Sequence, residues 1–156
     1  IVQSFEYVLI MILAQLPGYV AAAWLIEKLG RKTTLALFMA ACAVCAYFFG
    51  GAGSEAEIIV WGCLLSFFNL GAWGVLYTYT PEQYPTNIRA FGSGWASAVG
   101  RIGGIVAPLV VTNMMVLPNG FSNVFMMFTV VLFAVAAVVF VLGEETKGKT
   151  LESISQ

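Results

Sequence analysis

Five long apolar runs, separated by short polar connections, constrain this chain more than any other feature. They cover about Phe5–Ile26, Thr33–Gly51, Ile58–Thr80, Ala90–Met114 and Phe121–Leu142. A hydrocarbon core about 30 Å thick takes roughly 20 apolar residues in a helix, and each run is near that length. The runs are continuous rather than alternating, and in lipid only helices or closed barrels satisfy their own backbone. The predicted fold is therefore an all-α membrane protein with five transmembrane helices. Residues 1–142 form the helical bundle and residues 143–156 a tail. Composition agrees: 60% of the residues are apolar and 10% charged, against about 25% charged in soluble domains. The lipid bilayer is thus the first predicted partner. The chain opens at Ile1 rather than a methionine and soon enters an apolar run, which reads as a piece of a longer protein.

The basic residues orient the bundle. Lys28, Arg31 and Lys32 lie in the first connection, Arg89 in the third, and Lys147 and Lys149 in the tail. The second connection holds only the acids Glu55 and Glu57, and the fourth, Met115–Gly120, holds no charge. When the helices alternate, all six loop and tail bases fall on one side, and the positive-inside rule makes that side cytoplasmic. Ile1 then lies outside and Gln156 inside, in a multi-pass protein of the plasma membrane.

Several function classes are excluded. A net charge of −1 with no basic patch between aromatics argues against nucleic acid. The chain has no histidine, so it lacks the commonest metal ligand and the usual neutral-pH base. Cys42 and Cys45 form a C-x-x-C inside an apolar run, where redox or zinc chemistry lacks the polar setting it needs. There is no nucleophile–base pair, metal cluster or phosphate loop. No enzyme, metal or cofactor is predicted.

The seventh base, Arg101, sits near the middle of the fourth span. A charge there costs at least about 3 kcal/mol unless it faces the bundle interior or a wet cavity. Helical spacing puts Gly94, Ser97, Arg101, Gly104 and Pro108 on one face and Trp95, Val99, Ile102, Val106 and Leu109 on the opposite one. The third span carries a polar stripe of Ser66, Asn69, Trp73, Tyr77 and Thr80, and the first one of Tyr7, Met11, Gln15 and Tyr19. Gln15, Asn69 and Arg101 lie at similar depth, as a midplane binding site requires. The guanidinium would hold a planar carboxylate in two parallel bonds, and Trp73, Tyr77 or Tyr19 would stack on a flat ring. Against this stand plainer roles: Arg101 as an anchor or a partner for a distant carboxylate, Gln15 and Asn69 as interhelical hydrogen-bonders, the aromatics as packing. Glu6 reads as interfacial, and Gly100-x-x-x-Gly104 as a point of close helix approach. Pro17-Gly18 and Gly71/Gly74 weaken the first and third helices near mid-depth.

On the basic side, Glu27-Lys28-Leu29-Gly30-Arg31-Lys32 puts a tight glycine turn between antiparallel helices. Pro81-Glu82-Gln83-Tyr84-Pro85-Thr86-Asn87-Ile88-Arg89 holds an acid and a base seven residues apart. Glu27, Arg31, Glu82 and Arg89 are predicted to interlock as a cytoplasmic gate that breaks when the bundle rocks.

These segments resemble the major facilitator superfamily, in its sugar-porter-like and organic-ion branches. Glu27–Lys32 is similar to the D-R-x-G-R-[RK] loop, with Glu for Asp. Glu82–Arg89 is similar to E-x-[FY]-P-T-x-x-R, and Glu145-Thr146-Lys147-Gly148-Lys149-Thr150-Leu151-Glu152 to the E-T-K-G-x-T-L-E tail. Glu144 stands where that tail has proline, and Ala23 where the loop motif has glycine. The order of the motifs implies helices eight to twelve of a twelve-helix bundle, with the N-terminal half and the seventh helix outside this chain. Tyr77–Arg89 and the Gly100–Pro108 run resemble bacterial niacin and aromatic-acid transporters, and the resemblance gives Arg101 the anion-binding role. It implies secondary active import, by alternating access, of a small organic anion, nicotinate or a related aromatic carboxylate, coupled to protons. The alternatives are a sugar–proton symporter of the same superfamily and a non-transporting receptor or scaffold with the same fold.

Overall fold

The computed structural model describes residues 2–148, with side chains from Phe5 onward; Lys149, Thr150, Leu151 and Glu152 of the tail motif lie outside the described residues. Those residues form six helices in the order α1 (Val2–Leu13), α2 (Gln15–Leu29), α3 (Arg31–Gly50), α4 (Glu55–Glu82), α5 (Arg89–Met115) and α6 (Gly120–Leu142). α1 and α2 together make one span, Phe5–Leu29, so five segments are long and apolar enough to cross a membrane. The protein is an all-helical, multi-pass membrane protein.

The break between α1 and α2 falls at Ala14. Pro17 explains it: a proline has no N–H to give the carbonyl four residues back, here that of Leu13, and its ring crowds that carbonyl. The expected weak point is thus a discontinuity in the first span. Just beyond it, Gly18 is buried against the Phe67 backbone of α4, which brings α2 close to α4 at the same depth.

The connections follow local chemistry. Gly30 takes φ 93° between α2 and α3, a region that residues with a Cβ rarely adopt, and its N–H donates to Ile26 O at 3.1 Å. Ser54 caps α4, its Oγ accepting from Glu57 N at 3.3 Å, while Glu57 Oε2 accepts from Gly53 N at 2.9 Å. The hydroxyl thus satisfies one free amide of the first turn, and the Glu57 carboxylate reaches back to the amide just before the cap, a variant of the capping box. Asn119 turns α5 into α6 at φ 57°, a conformation in which asparagine is enriched.

α3 is the central column. It packs on α4 on one side and α6 on the other. Leu35, Phe38, Cys42, Ala43, Cys45 and Ala46 are all buried along it, and the cysteines are free thiols. Phe38 meets the edge of Phe68 at 5.5 Å between centroids and lies against Gly71 of α4. α5 is the opposite case. It touches only α4 and α6, and none of its most apolar stretch is buried, against 44% for α3.

The Phe38–Gly71 contact yields a prediction. A Cβ at position 71 would run into the Phe38 ring, which is 1% exposed. Gly71→Ala should destabilise the bundle by about 1–3 kcal/mol through overpacking, read as a lower midpoint of thermal unfolding in detergent. Adding Phe38→Leu should restore part of the loss; an unchanged midpoint for Gly71→Ala alone would show that the ring can move.

Candidate functional site

Arg101 opens onto a cavity of about 590 Å³ between α4 and α5. α4 contributes Trp73, Tyr77, Thr80 and Pro81 to its wall, and α5 contributes Ser93, Ser97, Gly100 and Gly104 beside Arg101. Residues three, four and seven apart on an antiparallel pair of helices face one another, so the aromatic stripe of α4 meets the small-residue face of α5. The small residues matter because they leave the space open. A Cβ at Gly100 or Gly104 would meet nothing within 4 Å.

The wall has one cationic group and two neighbouring, tilted rings. Arg101 is exposed and makes no ion pair with any described carboxylate. Trp73 and Tyr77 lie 5.6 Å apart between centroids at 32°, one helical turn from each other. Such a surface accepts a flat ring on the aromatic face and an anion at the guanidinium fork. Thr80, Ser93 and Ser97 add hydroxyls towards the Pro81 end of the cavity.

The other predicted site residues sit elsewhere. Tyr19 of α2 lies against Gly74 of α4, on the turn next to Trp73, but off the cavity wall. Gln15 and Asn69 are also off the wall, and neither side chain makes a hydrogen bond among the described residues. On the lipid-type face of α5, Trp95, Val99 and Ile102 are 60%, 60% and 62% exposed. Ser93 was missed in the sequence because it lies two turns before Arg101, close to a segment read as loop.

The basic end of the bundle carries a second cluster. Arg31 Nε lies 3.3 Å from Glu82 Oε2, an ion pair by distance rather than an aligned hydrogen bond. Glu82 also accepts from Thr146 Oγ1. Glu145 Oε1 accepts from Arg31 N at 2.9 Å and Lys147 N at 3.1 Å, so it caps α3, whose own N-cap is a glycine without a side chain. Lys147 Nζ donates to Lys28 O at 2.6 Å, and Tyr79 OH to Glu144 O at 2.7 Å. The tail is thereby tied to the first and third basic-side connections.

Of the predicted gate residues, Arg31 and Glu82 meet. Glu27 is exposed on the last turn of α2, and Arg89 donates from Nε to Pro81 O at 3.0 Å instead of to a carboxylate. The acid that reaches the glycine turn is Glu145, 114 residues along the chain from Arg31. The E-T-K-G tail was its sequence signal, seen as a motif but not as a partner of the turn.

Comparison with known proteins completes the description. A family model described as sugar (and other) transporter matches residues 1–156. The niacin transporter NiaP of Acinetobacter baylyi is 77% identical over 154 residues, which cover 99% of this chain and 35% of that protein. A Bacillus subtilis protein whose name gives niacin/nicotinamide transport as provisional is 56% identical over 97% of this chain and 38% of its own length. Organic cation/carnitine transporter 7 of Arabidopsis thaliana is 32% identical over 97% of this chain and 30% of its own length. The chain therefore spans little more than a third of the length of these two bacterial relatives. With the loop motifs and the five spans, the match places this chain in the sugar (and other) transporter family of the major facilitator superfamily.

Proposed function

We propose that the chain is the pocket-bearing C-terminal part of a secondary transporter that imports nicotinate or a related small aromatic carboxylate by alternating access. The observation that carries this reading is Arg101: a guanidinium on a cavity wall, opposite the paired rings of Trp73 and Tyr77, with no described carboxylate on it. A guanidinium fork pairs with a carboxylate through two parallel charge-assisted bonds, and the rings cover the faces of an aromatic ligand. The name of the Acinetobacter baylyi relative supports the same substrate, while that of the Bacillus subtilis relative also gives nicotinamide, the uncharged amide.

In this reading the end holding Gly30, Pro81 and Lys147 faces the cytoplasm of a plasma-membrane protein, since all the basic loops lie there. Residues 143–156 form the cytoplasmic tail. Glu82, Arg31 and the tail latch that side closed, and the helices outside this chain complete the pocket, with Gln15, Asn69 and Tyr19 available to a ligand bound against them. Proton coupling belongs to the reading through the family, with the proton carrier on the N-terminal half. No chemistry on the substrate is involved.

The test is uptake of labelled nicotinate by the complete protein in proteoliposomes. Benzoate keeps the carboxylate and the ring and should compete. Nicotinamide lacks the charge and glucose lacks both features, so neither should compete at similar concentrations. Competition by glucose with none by benzoate would overturn the assignment in favour of a sugar carrier.

A further inference from the structure

At the end of the bundle opposite the basic connections, a second cavity of about 470 Å³ lies where α3, α4 and α6 meet. Its walls are largely aromatic. Phe48 of α3 and Trp61 of α4 lie face to face, 4.6 Å apart between centroids at 15°. Tyr47 meets Phe48 edge-on at 5.5 Å and 79°, so the Tyr47 and Trp61 rings stand at a steep angle to each other. Glu57, one helical turn before Trp61, borders the same space. Its carboxylate is held by the bond from Gly53 N at 2.9 Å. Gly51 brings the C-terminal end of α3 to the wall, and with it the negative end of that helix dipole.

These groups favour an ammonium. A cation is drawn to the face of an aromatic ring, to tryptophan most of all, and to a carboxylate beside it. Among the described residues no lysine or arginine borders the cavity. An anion has a place next to it: Ser122 lies in the first turn of α6, which Asn119 does not cap through its side chain, and such a turn receives phosphate oxygens. The cavity also continues inward as an apolar groove. Leu37, Val44 and Phe48 share one face of α3 at spacings of seven and four, and all are exposed. Glu57, Trp61 and Leu64 line up in the same way on α4, and Ser122, Met126, Val130 and Phe133 on α6. Both helices run antiparallel to α3, so the three stripes descend together from the cavity towards mid-bilayer. A further helix laid over this groove would bury the Glu57 carboxylate and would have to bring a base to the acidic end of the bundle; an ammonium lipid carries its own cation there.

We propose that this cavity is a binding site for a phospholipid whose head carries a primary ammonium, in the leaflet that covers the end away from the basic connections. The ammonium sits against Trp61 and Glu57, the phosphate at the first turn of α6 beside Ser122, and the acyl chains on the stripes of α3, α4 and α6. The bound lipid joins three helices at one end of the bundle. The proposal is independent of the reading of Arg101, which lies on another cavity.

The test uses the complete protein in nanodiscs, with phosphatidylethanolamine carrying a photoreactive diazirine on one acyl chain and the labelled peptides located by mass. Label is expected on the segments that hold Val44, Leu64 and Val130, and unlabelled phosphatidylethanolamine should displace it. Glu57→Gln keeps an oxygen for the Gly53 amide and removes the charge. It should lower labelling of these segments by about five- to tenfold, and Trp61→Leu should do so to a similar extent. Trp95→Leu, on the exposed face of α5, should leave it unchanged. The same diazirine on phosphatidylglycerol, which has the phosphate and no ammonium, should label there about tenfold less. Equal labelling by the two lipids, labelling that survives Glu57→Gln, or no label on these segments overturns the proposal, the last also if other helices of the complete protein cover the groove. Displacement of the label by millimolar ethanolamine would assign the cavity to a soluble amine and overturn the lipid as its occupant.

Discussion

Arg101→Ala is expected to raise the nicotinate concentration needed for half-maximal uptake by about 100-fold. Removing a charge-assisted pair from a partly enclosed site costs about 3 kcal/mol, and each 1.4 kcal/mol is a factor of ten. Arg101→Lys should lose about tenfold, because an ammonium keeps the charge but not the flat fork that meets both carboxylate oxygens. Benzoate uptake or competition should fall in parallel, since the lost group contacts the carboxylate that the two acids share. Surface amount in the membrane, measured alongside, separates lost binding from lost protein. Normal transport by both variants would show that the guanidinium does not touch the substrate.

The second large effect is expected at Glu82. Its carboxylate meets both Arg31 and Thr146, so it joins the first basic connection, the third and the tail. The Arg31 and Glu82 side chains are 27% and 18% exposed, and a pair this open is worth at most about 1 kcal/mol by itself. A small energy still has a large consequence in a two-state carrier, where about 1.4 kcal/mol changes the ratio of the two states tenfold. Glu82→Gln should therefore reduce uptake by up to about fivefold while nicotinate binding in detergent is nearly kept. The exchange Arg31→Glu with Glu82→Arg should recover part of the uptake. Loss of binding in step with uptake would place Glu82 in the pocket rather than in the latch.

What could be read from the residues alone, and what could not, divides by the range of the interaction. The spans were legible because lipid demands a long apolar run wherever the backbone crosses, whatever the neighbours do. Arg101 stood out for the same reason, a charge in a setting that penalises it. Trp73, Tyr77 and Arg101 come together because each lies on the polar stripe of its own helix, and stripes turn inward. Stripe membership did not suffice for Asn69 and Gln15, since which helix a stripe faces depends on how the helices are arranged. The gate shows the limit most clearly. Glu27 and Glu145 are both acids within reach of the basic turn by composition, and only the path of the tail decides that Glu145 caps α3. The break at Ala14 was half legible: Pro17 marks a weak point, but whether a helix bends or parts there depends on what packs beside it.

The charge at the centre of α5 has a consequence for how the protein enters the membrane. α5 is the least apolar of the five spans and α6 the most apolar. A single arginine at the centre of a segment weakens its partition from the translocon into lipid by about 2.5–3.5 kcal/mol, and the glycines of α5 add little to offset that. α6 needs no such help and follows after a turn of only a few residues. The two are best inserted as a hairpin, in which the later segment draws the earlier one into the bilayer. The helix that carries Arg101 then owes its place to a neighbour made after it.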